Sequence, residues 1–325
     1  MKHRVNPAKM EPTPETYYLK RRAFVRQVGL GTVVLATTGS VPGCDTSTSE
    51  ADDATLLEPG IAKASVRAHF PAKRNSRFDL NHPLTDEVVA ATHNNFYEFL
   101  PGRAGDLWRL TQGMVVDPWV IEITGKCRRP GKFDIDAMFR FDQEERTYRF
   151  RCVEAWAMDV PWTGFELSKL LAKVEPLSSA KFVRFVTVNR PQQMPGQRST
   201  QGRYPWPYFE GLSMPEAMHP LTMLVTGVYG RPLPRQHGAP FRIIVPWKYG
   251  YKSPKSIAKI ELVDHQPATF WQSLQPEEYP FSSNVDPKKP HPRWSQETER
   301  VLGTNEQRVT LLYNGYAEQV ANLYA

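Results

Sequence analysis

Apolar and polar residues first alternate at Trp119-Val120-Ile121-Glu122-Ile123-Thr124, a run that stops at Gly125 and predicts a strand. From Arg146 to Trp156 the alternation is clearer. Tyr148, Phe150 and Cys152 fall on one side and Arg149 and Arg151 on the other, so Cys152 is expected near the end of a strand, on its apolar face. Leu167, Leu170, Leu171 and Val174 follow the i, i+3, i+4, i+7 period of a short helix that ends before Pro176. Further strands are predicted at 181–189, 241–245 and 257–263; in the last, Ala258, Ile260 and Leu262 face a core while Lys259 and Glu261 face out. Short strands, few helices and Pro-rich connections (29 prolines in 325 residues) predict an α+β fold with mixed sheets.

The pattern is globular from about Ile61 to Ala325, with no repeat, so residues 61–325 are read as a single domain. Ahead of it the chain has a different character. Lys20-Arg21-Arg22-Ala23-Phe24-Val25 precedes a weakly apolar run from Val28 to Gly39, and this pairing resembles a twin-arginine (Tat) export signal over residues 1–44. An ordinary amphipathic helix is the plain alternative. Val41-Pro42-Gly43-Cys44 also resembles a lipoprotein cleavage site, which leaves two fates for Cys44: a lipid anchor, or removal with the leader. Residues 45–60, rich in Ser, Thr and Asp at their start, are expected to form a flexible tether.

Charge narrows the choice of partners. The chain carries a formal +7, but seven Lys and Arg against two Glu lie in residues 1–44, and the remainder holds 34 basic and 32 acidic side chains. The basicity belongs to the leader, so a phosphate-backbone footprint on the domain is not expected and nucleic acid is excluded as a partner. Three cysteines are too few for a disulfide framework. There is no Cys-x-x-Cys-His haem motif, no cysteine set for an iron–sulfur cluster and no glycine-rich dinucleotide fingerprint.

The chemistry centres on Arg151-Cys152-Val153-Glu154-Ala155-Trp156. A strand-end thiol reads either as a small buried hydrophobe or as a soft metal ligand. Arg151, pointing to the opposite face, does not reach it by side-chain contact. Cys127, with no motif around it, reads as a structural thiol.

Together with Asn94-Asn95-Phe96-Tyr97-Glu98-Phe99, Met194-Pro195-Gly196-Gln197, Met218-His219-Pro220-Leu221, Val245-Pro246-Trp247-Lys248-Tyr249-Gly250-Tyr251-Lys252, His291-Pro292-Arg293-Trp294-Ser295-Gln296 and Asn314-Gly315-Tyr316, this segment resembles one family from about Pro71 to Tyr324. That family is the catalytic subunit of the periplasmic protein-methionine-sulfoxide reductase, among the sulfite-oxidase-type molybdopterin oxidoreductases. The resemblance implies a sulfite-oxidase-type molybdopterin-binding fold and a molybdenum-molybdopterin (Mo-MPT) cofactor, with Cys152 as the metal ligand. It implies that Asn94, Tyr97, Glu98, Thr187, His237, Arg242, Ser253, Pro254 and Lys255 hold the cofactor, Arg242 near its phosphate. His237 stands where the family pattern has Asn, and it keeps a polar hydrogen-bonding group. Glu154 and Trp156 are expected beside the substrate, Glu154 as a catalytic residue.

Read from the residues alone, each of these has a bland rival: Arg242 an exposed strand charge, Lys255 a solvated lysine, Glu98 a loop carboxylate, and Tyr97 a core aromatic.

The implied reaction is oxygen-atom transfer from methionine sulfoxide, which leaves the thioether. It repairs a polar lesion on an apolar side chain in oxidised periplasmic proteins. Electrons then come from another protein, by resemblance a haem-containing membrane subunit. The implied location is the periplasm, reached through the Tat export machinery. Two rivals stand beside this reading. A sulfite dehydrogenase-like molybdoenzyme usually carries a further C-terminal domain, for which the residues after Tyr316 leave no room. An exported, non-catalytic binding protein has no use for an intact Cys152 and Arg242.

Overall fold

A computed structural model describes residues 55–102 and 104–325. The expected leader, Cys44 and residues 45–54 of the expected tether lie outside them. The rest of that tether is seated on the domain. Leu56 is buried against Ala91 and Trp108, its carbonyl accepts from Gln236, and Gly60 N–H donates to Leu233 O. One leucine with a pocket to fill moves the start of the folded domain to about Thr55.

In chain order the strands are β1 (Lys73–Arg74), β2 (Val120–Gly125), β3 (Gly131–Asp134), β4 (Glu144–Arg151), β5 (Trp156–Glu166), β6 (Phe182–Thr187), β7 (Phe209–Ser213), β8 (Met223–Val228), β9 (Arg231–Pro232), β10 (Arg242–Ile244), β11 (Ile257–Val263), β12 (Thr298–Val301) and β13 (Gln307–Val309). They form two mixed sheets. One runs β3-β2-β11-β6-β7, with β2 and β11 parallel and the other pairs antiparallel. The other runs β1-β4-β5-β12-β13, and β8 joins it along the far end of β5, bringing β9 and β10. The expected α+β fold with mixed sheets is what forms.

The predicted elements sit close to their expected places. Ile121 and Ile123 of β2 are buried, and so are the four residues that predicted the helix Leu167–Val174, Leu167, Leu170, Leu171 and Val174. That helix stops at Glu175, whose left-handed backbone (φ 52°) turns the chain ahead of Pro176. The strand expected from Arg146 to Trp156 is two strands. β4 ends at Arg151, the chain turns through 152–155, and β5 begins at Trp156. β5 itself was not predicted. Nearly all of its residues are buried, so both faces of this strand are covered and its side chains show no alternation, while β4 pairs with one edge and β8 and β12 with the other.

One hydrophobic core runs through both sheets, from Ile121, Phe185 and Ile260 to Tyr148, Trp162 and Phe241. The segment between β10 and β11 crosses from one sheet to the other, and it carries Ser253, Pro254 and Lys255.

Candidate active site

Cys152 is the first residue of the turn between β4 and β5, and it is buried. Its own N–H donates to Trp156 O (2.9 Å), and Ala155 N–H donates to Cys152 O (3.2 Å). Ala155 adopts a left-handed conformation at φ 62°. The tight turn directs the sulfur to a face where it accepts from Glu154 N–H (3.4 Å) and from Asn95 Nδ2 (3.5 Å). Burial, then the Glu154 carboxylate, push the thiol well above its ordinary range, so on its own it stays protonated. Arg151 points away, as expected, although its positive charge still favours the thiolate through space.

Glu154 is exposed beside the sulfur and accepts from both Asn95 Nδ2 and Trp156 Nε1, each at 3.0 Å. Asn95, which the sequence reading left without a role, is thus the link between thiol and carboxylate. Its main-chain carbonyl accepts from Lys255 Nζ (2.8 Å), and its Oδ1 is buried with no partner among the described residues. His93, edge-on to Trp156 at 4.7 Å between ring centres, was also missed. The signal was present in its place beside the doubled asparagine.

Through Asn95 the thiol is linked to a second group of residues, Arg242, His237 and Lys255. Arg242 is 2% exposed, sandwiched near the Trp162 and Phe150 rings, and donates to the carbonyls of His237 (3.0 Å) and Ser253 (3.2 Å). Its Nε has no partner among the described residues, and burial lowers its pKa to about 9. His237 is fully buried with both ring nitrogens unpartnered among those residues. Burial, then Lys255 and Arg242, hold it neutral. Lys255 lies over the Phe96 ring, its ammonium pushed toward the neutral form by burial and by Arg242. The bland readings of Arg242 as an exposed strand charge and Lys255 as a solvated lysine do not hold.

The remaining candidates divide. Glu98 is buried, not an exposed loop carboxylate; it accepts from Thr187 Oγ1 (3.2 Å) and feels Lys255. Burial raises its pKa to about 7. Tyr97 is half-buried, edge-on to Trp271 at 4.8 Å and within the field of Glu154 and Cys152. Ser253 Oγ accepts from Val245 N–H, and Pro254 O accepts from Ile243 N–H, so their side of the loop is fixed by β10 and its C-terminal extension. Asn94 differs from the rest. Its Nδ2 donates to Ala90 O and Ala91 O, capping the helix Glu87–Thr92, and its main-chain N–H and carbonyl pair with Gly105, so its Oδ1 is what is left for a ligand.

Gly196 explains the Met-Pro-Gly-Gln motif. A Cβ there would lie 2.2 Å from Tyr97 O, so only glycine lets the helix Pro195–Ser199 press on the Tyr97–Glu98 backbone. Gln197 N–H then donates to Glu98 O, and Gln197 Nε2 to Val188 O beyond β6.

Arg242, buried, and Lys255, half-buried, lack a carboxylate hydrogen-bond partner among the described residues, and with three orphaned ring and guanidinium nitrogens they make an incomplete electrostatic unit. An anionic ligand rich in acceptors, such as a phosphate-bearing pterin, completes it. Among the described residues no group of three or more His, Cys, Asp or Glu gathers to hold a metal. A metal at Cys152 therefore needs donors from such a ligand, and the soft sulfur suits a redox-active one.

Comparison with known proteins agrees. Residues 110–271 match the oxidoreductase molybdopterin-binding domain. The protein-methionine-sulfoxide reductase catalytic subunit MsrP of Xanthomonas campestris pv. campestris is 44% identical over 322 residues, 97% of this chain and 94% of that protein. The MsrP of Xanthomonas axonopodis pv. citri is likewise 44% identical, over 99% of this chain and 96% of its own. Among solved structures, the sulfane dehydrogenase SoxCD from Paracoccus pantotrophus shares 17% identity at a TM-score of 0.42, covering 63% of this chain and 56% of that one. The chain belongs to the protein-methionine-sulfoxide reductase catalytic subunit family, a family of molybdopterin-binding oxidoreductases.

Proposed function

We propose that this chain reduces methionine sulfoxide in oxidised periplasmic proteins, with a molybdenum-molybdopterin cofactor held by Cys152 and by Arg242, His237 and Lys255. The carrying observation is the meeting of a buried soft donor, Cys152, with polar groups that lack an acidic hydrogen-bond partner among the described residues: the buried Arg242, whose Nε is unpartnered there, the neutral His237, with both ring nitrogens unpartnered there, and Lys255, whose Nζ donates only to the Asn95 carbonyl. When bound, the cofactor supplies oxygen-atom transfer from sulfoxide to leave thioether.

The chain's own residues do the rest. Cys152 presents its sulfur as ligand, and Asn95 steadies it from one side. Arg242 and Lys255 bring positive charge to the anionic end, the neutral His237 offers it a ring N–H, and Glu98, Thr187 and Tyr97 line the way between. Glu154 stands exposed beside the thiol, held by Asn95 and Trp156, where it meets the substrate and the proton traffic of the reaction. With a carboxylate open to solvent at its mouth, the site admits a side chain carried by another protein.

Export by the Tat route, with Cys44 either lipidated or removed, follows from the leader pattern. The electrons come from another protein, since the sequence carries no haem or iron–sulfur motif, and the family resemblance points to a haem-containing membrane subunit. A lipid at Cys44 would raise the effective concentration of the two.

The test is sulfoxide reduction driven by a viologen donor, comparing the native chain with Cys152→Ser at equal folding. The serine variant is expected to lose most activity. Native-level turnover in that variant, or sulfite-dependent cytochrome reduction without sulfoxide reduction by the native chain, overturns the reading.

A further inference from the structure

The motif His291-Pro292-Arg293-Trp294-Ser295-Gln296 has no task in the site as described, yet it reaches the back of the Cys152 turn. Trp294 Nε1 and Gln296 Nε2 both donate to the carbonyl of Val153, at 2.8 and 2.7 Å. Gln296 Oε1 also accepts from Arg151 Nη2. Arg151, wholly buried, sends Nε to the Cys152 carbonyl and Nη1 to Glu299 Oε2 and Thr310 Oγ1, each at 2.8 Å. Arg300 N–H closes the set on the carbonyl of Ala155 (2.9 Å). The carbonyls of Cys152, Val153 and Ala155 are thus each held from behind.

These groups lie beyond residue 271, where the molybdopterin-binding match ends, apart from Arg151 itself. They also carry charge. Glu299, fully buried, takes Arg149, Arg151 and Arg308, and Arg308 also meets Asp159, so three guanidiniums face two carboxylates on this side of the turn. The two backbone hydrogen bonds within the turn close it, and the left-handed alanine it contains keeps its conformation because the surroundings over-determine it.

We infer that Trp294, Gln296 and Arg151 are positioning residues that set the direction of the Cys152 sulfur and its strength as a donor, acting through the carbonyls of the turn. This rests on Cys152 being the metal ligand. The rival is a plain clasp that anchors the C-terminal segment to the domain.

Two mild variants separate these. Trp294→Phe keeps a ring stacked on His291 (3.8 Å) and removes one N–H; Gln296→Met removes the amide from the same carbonyl. Arg308→Gln, which breaks the same ion network without touching the turn, is the comparison. In molybdenum-loaded protein, Trp294→Phe and Gln296→Met are expected to shift the Mo(V) paramagnetic resonance spectrum and lower kcat by about ten-fold with KM near native. Arg308→Gln is expected to lower the melting temperature and leave the spectrum native. In metal-free protein, iodoacetamide labelling of Cys152, followed by peptide mass spectrometry, should change rate in the first two variants only.

Native spectra and native labelling in Trp294→Phe and Gln296→Met overturn the inference, as does an equal shift in Arg308→Gln. A variant that takes up no molybdenum is judged by its labelling rate. That arm needs no metal, so full activity in Cys152→Ser would remove the ligand reading and leave the turn still testable.

Discussion

Lys255 donates its ammonium to the main-chain carbonyl of Asn95 at 2.8 Å, and this bond joins the loop after β10 to the segment that touches the thiol. Cation and sulfur are therefore parts of one hydrogen-bonded unit, with Asn95 as its hinge.

Lys255→Met should uncouple that unit. It removes a cation that the anionic ligand needs, and it frees the Asn95 backbone. Molybdenum per purified chain, measured by mass spectrometry of the metal, is expected to fall by about ten-fold or more. Retention at the native level would show that the ligand does not use this ammonium.

Arg242→Met should act in opposite directions on the two forms of the protein. Without cofactor, Arg242 is a buried charge whose Nε lacks a partner among the described residues, so an apolar side chain of similar length is expected to leave the melting temperature unchanged or raise it. With cofactor, the same change removes its anion partner, and the gain in melting temperature on loading should shrink. Thermal unfolding of both forms measures the contrast.

Glu98 gives a pH signature in the metal-free chain. Its folded pKa, about 7, lies above the unfolded value near 4.5, so the folded state binds the proton more tightly. Stability from this group is present below pH 4.5, falls as pH rises toward 7, and is flat beyond, for a total of about 3 kcal/mol at most. His237 works the other way: its depressed folded pKa removes stability as pH drops below about 6.5. The Glu98 contribution is therefore the difference between native and Glu98→Gln denaturation curves across pH 4.5–7. A difference that does not change with pH counts against it.

Gly196→Ala should strain the site without touching its charges. The added methyl meets Tyr97 O at 2.2 Å, and relief means moving the Tyr97–Glu98 backbone. A loss of about 1–3 kcal/mol in denaturant unfolding is expected, together with weaker cofactor retention.

Much of this was legible in the order of residues, where one face is buried and the other is not. Ile121 with Ile123, and Leu167 through Val174, show their elements by period alone. β5 and β8 hide because both faces are covered and no alternation remains, and Asp159, Pro161 and Gly164 further disguise β5. Arg242 misleads by the same logic in reverse. An alternating strand implies an exposed charge, whereas this guanidinium is buried, donating to the carbonyls of His237 and Ser253 with its Nε unpartnered among the described residues. Asn94 and Asn95 show the limit of a motif read as letters. Neighbouring residues point different ways, so Asn94 caps a helix while its successor reaches the sulfur.

The crossing of residues 245–256 between the sheets has a mechanical consequence. Thr187 belongs to one sheet, Arg242 and the approach to Cys152 belong to the other, and Lys255 sits on the strap between them. A ligand gripping all four rivets the two halves of the domain together. Hydrogen exchange at β6 and at β10 should then slow in step as the cofactor seats, and a chain folded without it should breathe along that seam first.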